Sequence, residues 1–162
     1  MKVETDKVTL NEMYPLICQQ LEEGGSVRFK PNGTSMLPTI RQGLDEVTVE
    51  KLAGKPKRLD ILFYLRATGQ CVLHRLQKIK KGSYVIRGDH QFEYEYGITD
   101  QNIIGVVTEI HRDGKTIRRG TSEFKRYGTL GAFSYRTMFR LRKYTPAFLR
   151  RFLCSLKKKL KK

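Results

Sequence analysis

Short stretches in which apolar and polar side chains strictly alternate set the tightest limit on what this chain can fold into. Glu46-Val47-Thr48-Val49-Glu50 is the cleanest, and Ser26 to Lys30 repeats the pattern with Val27 and Phe29. Successive side chains leave a strand on opposite faces, so a period of two predicts half-buried β-strands. Further strands are expected at Ile61 to Arg66, Gln70 to Gln77, Ser83 to Arg87, Ile103 to His111 and Lys115 to Arg119. Turn signals separate them: Pro31-Asn32-Gly33, Ala67-Thr68-Gly69, Lys80-Lys81-Gly82 and the hairpin pair Asp113-Gly114. Residues 90–102 read as irregular. The expected fold class is mainly β (α+β), a coiled β-sheet or partly open barrel.

Helical signals flank this unit. Met13, Ile17 and Leu21 share one face of a helix expected from Asn11 to Glu23, with Pro15 in its first turn and Gly24-Gly25 ending it. Residues 120–131 read as a linker. Beyond it, Phe148, Phe152, Leu156 and Leu160 recur at spacing four, with Arg150, Arg151, Lys157 and Lys158 largely elsewhere on the wheel. That is a basic amphipathic helix, too short and too charged to span a bilayer. The expected organisation is an N-terminal helical segment (1–25), a β domain (26–120) and a basic helical tail (121–162).

The charge follows the same division. Residues 1–110 hold 15 Lys/Arg against 14 Asp/Glu, whereas residues 111–162 hold 17 against 2. A near-neutral body with a basic tail predicts an anionic partner, with a membrane surface ahead of nucleic acid. Arg150, Arg151, Lys157 and Lys158 are the expected contacts. Cys18, Cys71 and Cys154 show neither metal-ligand spacing nor a disulfide framework, which suits a reducing compartment. The N-terminus lacks the apolar core of a secretory signal. No metal and no cofactor is expected, and the expected location is cytoplasmic, peripheral on the inner face of the membrane.

Chemistry concentrates at Gly33-Thr34-Ser35-Met36-Leu37-Pro38-Thr39-Ile40. A glycine before a serine and a proline after it fix an irregular turn that can present a hydroxyl and a backbone N–H together, as a nucleophile and an oxyanion hole require. Gly33 and Met36 are the turn residues of that hole. A serine in such a turn can also be purely structural, and a lone strand histidine such as His74 usually is.

The run Gly33 to Thr39 resembles the G-x-S-M-x-P-T motif of the superfamily that joins type I signal peptidases to LexA-like self-cleaving repressors. Weaker segments follow in the family's order: Gly43-Leu44-Asp45-Glu46-Val47-Thr48-Val49 with an inserted Leu44, Leu59-Asp60-Ile61 with Leu in place of Gly, Val72-Leu73-His74-Arg75, Arg87-Gly88-Asp89, and Ile103-Ile104-Gly105-Val106-Val107. The resemblance covers about residues 26–110 and is closest to the His-type signal peptidases of archaea and the endoplasmic reticulum. It implies a LexA/signal-peptidase-type sheet and a serine endopeptidase with Ser35 as nucleophile and His74 as general base. Asp89 ranks first and Glu95 second as the acid that orients His74. The implied partner is a peptide or protein substrate bound as an extended strand. The alternative is a catalytically inactive or non-enzymatic protein that uses its basic tail on membrane or nucleic acid. Too few residues precede the β unit for the DNA-binding module of a LexA-like repressor.

Overall fold

The computed structural model describes residues 13–126. The tail residues Arg150, Arg151, Lys157 and Lys158, and Asn11 of the expected first helix, lie outside them. Helix α1 (Tyr14–Glu22) opens with proline in its first turn and buries Ile17 and Leu21, the spacing-four pair. It stops at Gly24, whose backbone is left-handed with φ +80°.

Eight strands follow: β1 (Ser26–Phe29), β2 (Glu46–Glu50), β3 (Ile61–Leu65), β4 (Cys71–Lys80), β5 (Ser83–Arg87), β6 (Glu95–Ile98), β7 (Ile103–Arg112) and β8 (Lys115–Arg118). They form one open sheet in the order β1-β2-β7-β3-β4-β5-β6, with β8 also beside β7, and every pair is antiparallel. The mainly β class expected from alternation is the class observed. Asp113 (φ 47°) and Gly114 (φ 77°) make the β7–β8 hairpin with both turn residues left-handed, as a tight two-residue loop demands.

The sheet is covered on both faces around its centre. In β3, Ile61 and Phe63 enter one cluster with Ile17, Leu21, Met36, Ile40 and Phe124. Leu62 and Tyr64 enter a smaller one on the other face with Leu76, Tyr84, Ile86 and Val106. Register shifts interrupt four of the ladders, including β4–β5 between Leu76 and Lys78. Such irregularities bend and twist strands, which lets the sheet curl around its main core.

Three sequence expectations need correction. The irregular stretch 90–102 contains β6; only Ile98 of that strand is fully buried, so its alternation is hard to read. Strand β4 does not stop at Gln77 but runs to Lys80, because Lys80 pairs with Ser83 across the hairpin. The linker expected from residue 120 is partly structured: residues 122–126 are helical and Phe124 is only 1% exposed in the main core. Phe124→Ala should therefore cost about 3–5 kcal/mol of stability. Lys125→Ala, one exposed position away, should change it by no more than about 0.5 kcal/mol. Urea unfolding of both variants checks this.

Candidate active site

Ser35 lies in a turn that its neighbours pin down. Gly33 has φ +103°, a backbone that side-chain-bearing residues rarely adopt. Met36 and Ile40 are buried in the main core, and the Leu37 N–H donates to the Thr34 carbonyl at 3.2 Å. This leaves Ser35 half-exposed on the turn's outer side. The chain leaving β5 crosses it closely. A Cβ on Gly88 would stand 2.6 Å from the Ser35 carbonyl oxygen, so only glycine fits there. The His90 N–H donates to that oxygen at 2.8 Å, and His90 Nδ1 lies 3.1 Å from the Thr34 carbonyl. His90 thus clasps the serine turn through both its backbone and its ring.

His74 sits on β4 opposite Leu62 and is 1% exposed. Its Nδ1 is 2.8 Å from Glu95 Oε1 and 3.1 Å from the Tyr64 hydroxyl. Arg66 grips the same carboxylate with Nε (2.8 Å to Oε2) and Nη2. A carboxylate only accepts, so Nδ1 carries the proton and donates it to Glu95, and the Tyr64 hydroxyl also donates to Glu95. Nε2 is thereby left as the lone-pair nitrogen. Burial pushes the His74 pKa below its ordinary value, against the pull of Glu95. Burial alone would raise Glu95, but hydrogen bonds from Arg66 and Tyr64 outweigh it and hold the carboxyl below the usual range. At neutral pH the pair is a neutral imidazole beside an ionised carboxylate.

Ser35 and His74 line one cleft of about 330 Å³, together with Gly33, Met36, Leu73 and Arg66. No lysine lines it. Among the described residues, no hydrogen bond joins Ser35 Oγ to His74, and none takes up the Ser35 backbone N–H. Serine–base contacts are often long without substrate and tighten when it binds. Among the described residues, no group of three His, Cys, Asp or Glu side chains converges as metal ligands would.

Asp89, expected first beside His74, is committed elsewhere. Arg75 Nε donates to its Oδ1 at 2.8 Å and Arg75 Nη2 to its Oδ2 at 2.7 Å, with both side chains buried. The Thr39 hydroxyl donates to the same Oδ2. The carboxylate touching His74 is Glu95, which was ranked second. Asp45 is gripped by Arg41 and Arg112, and Asp60 by Arg119.

The chain matches no protein-family model, no curated protein and no solved structure.

Tyr64 and Arg66 escaped sequence reasoning because each looks ordinary there, a strand tyrosine and a strand-end arginine. Their spacing of two does place them on the sheet face that carries His74, and that was the available signal. The two carboxylates should separate on substitution. Asp89→Asn strips a buried guanidinium of its counter-charge and should cost about 3–5 kcal/mol. Glu95→Gln, whose partner Arg66 reaches solvent, should cost clearly less in the same denaturant titration.

Proposed function

We propose that this chain is a serine endopeptidase of the signal peptidase and LexA-like type, with Ser35, His74 and Glu95 as nucleophile, base and orienting acid. The observation that carries the reading is that Ser35 and His74 line one cleft while Glu95 sits against Nδ1 of His74. In this mechanism Ser35 Oγ attacks the scissile carbonyl and its proton passes to His74 Nε2. Glu95 stabilises the imidazolium without taking the proton. The tetrahedral intermediate collapses, and Nε2 returns the proton to the departing amine. Water then attacks the acyl-serine with His74 again as base. The Ser35 backbone N–H is the first oxyanion donor, and Gly33 and Met36 hold the turn that aims it.

The cleft also suits an extended peptide. Strand β5 begins to pair with β4 only at Arg75. The Leu76 N–H donates to the Asp60 carbonyl on the β3 side, and the Arg66 N–H to the Gln70 carbonyl. By alternation, Leu73 turns its backbone groups away from β3, toward the cleft. A substrate strand laid there would run between Leu73 and the Ser35 turn.

Details of the motif order support the family reading. Leu59 stands where the family pattern has glycine, and its backbone is left-handed at φ 74°. The inserted Leu44 is exposed, while Asp45 keeps its buried anchor. Peripheral attachment through the basic tail and a cytoplasmic location belong to this proposal. No helix among the described residues is long and apolar enough to cross a membrane.

Ser35→Ala should abolish cleavage of an extended peptide library, a loss of at least about a thousandfold, with the unfolding transition unchanged. Undiminished cleavage by that variant rejects the reading, whereas an inactive wild type that still binds peptide returns the non-enzymatic alternative. The reaction needs neutral His74, so kcat/KM should rise with pH. The lowered pKa places the midpoint of that rise below about 6.5, with a plateau by neutrality. A pH–rate profile measures it.

A further inference from the structure

The far end of β4 carries a different surface chemistry. Past Gln77 the strand continues as Lys78-Ile79-Lys80, all exposed, and Lys81-Gly82 turn it into β5. Ile79 is 54% exposed and Tyr96, on β6, is 64% exposed. Lys80 Nζ lies 5.5 Å from the centre of the Tyr96 ring. Lys55 shares a shallow depression with Ile79 and Lys80, and Arg58 reaches the Gln77 carbonyl at 3.2 Å. Among the described residues only Lys55 of these cations has an acidic partner, Asp100. Lys78, Lys80, Lys81 and Arg58 make no ion pair there.

An aliphatic side chain and an aromatic ring held outward among unneutralised cations match the boundary of an anionic bilayer. The apolar groups enter the headgroup layer while the ammonium groups meet phosphate. The tail is a poor occupant, since residues 127–162 hold 11 Lys/Arg and no Asp/Glu and like charges repel. We propose that the β4–β5 hairpin tip docks on an anionic phospholipid surface, with Ile79 and Tyr96 in the headgroup boundary and Lys78, Lys80 and Lys81 against the phosphates. Lys80 lies six residue steps along the strand from His74, so the cleft stands about 20 Å from the docked tip. The proposal uses neither Ser35 nor His74 and is independent of the peptidase reading.

The test is co-sedimentation of the full chain with vesicles of phosphatidylglycerol and phosphatidylcholine, compared with phosphatidylcholine alone. Wild type should partition onto the mixed vesicles only. The exposed-site variant Ile79→Ser/Lys80→Glu/Lys81→Glu should bind them at least about tenfold more weakly with an unchanged unfolding midpoint. The milder Lys80→Gln/Lys81→Gln should move in the same direction. The tail is identical in all three proteins, so equal partitioning assigns any membrane binding to the tail and overturns the proposal. Loss of single-stranded oligonucleotide binding with vesicle binding intact overturns it too, in favour of nucleic acid.

Discussion

One buried guanidinium holds the architecture around the cleft together. Arg75 is fully buried on β4, and it binds Asp89 in the chain leaving β5 through two nitrogens. Its Nη1 donates to the carbonyls of Leu59, just before β3, and of Phe124, after β8. Thr39, from the end of the serine turn, closes the group by donating to Asp89. A buried charge is costly unless its hydrogen-bonding capacity is filled. Segments far apart in sequence must therefore converge at one point before the interior is satisfied. The Ser35 turn inherits its position from that requirement, because Thr39 and Gly88-Asp89 are its neighbours.

Three of the motif segments after the serine turn carry an aspartate, and these aspartates share this mode of action. Asp45, Asp60 and Asp89 each bind an arginine drawn from elsewhere in the chain: Arg112, Arg119 and Arg75. Arg112 also donates to the carbonyls of Pro38 and Thr39, so the Asp45 anchor braces the serine turn from the other side. These carboxylates are loop fasteners. Glu95, which lies in no motif segment, is bonded by Arg66 at both oxygens and shares Oε1 between Arg66 and the His74 imidazole, so it is the carboxylate the proposed mechanism uses.

Strand positions were legible where alternation survives because one face is buried, as in β2. The irregular turn at Ser35 was legible from its glycine and proline flanks, and His74 was singled out by the Val72-Leu73-His74-Arg75 segment. The acid was not. Which carboxylate meets His74 depends on register: Glu95 lies opposite Ile86, and Ile86 opposite Leu76, on the sheet face that carries His74. Two of those ladders contain register shifts, and no local pattern encodes them. A Gly-Asp pair near a base looks like a relay in sequence. Only the packing of Arg75 shows that Asp89 faces the other way. Phe124 was misjudged for a similar reason, as one aromatic among glycines and charges looks like linker until a core receives it.

Strand β6 bonds only to β5 among the described strands, and two of its residues, Tyr96 and Gly97, are exposed. Outermost strands open at a lower free energy than central ones. Glu95 rides on this strand, while His74 is buried on β4 and the Ser35 turn is held by the buried Met36 and Ile40. The weakest joint of the proposed relay is therefore mechanical. Peeling β6 would disconnect the acid while the nucleophile, the base and the fold stay in place, so the site could be idled by local fraying at its rim.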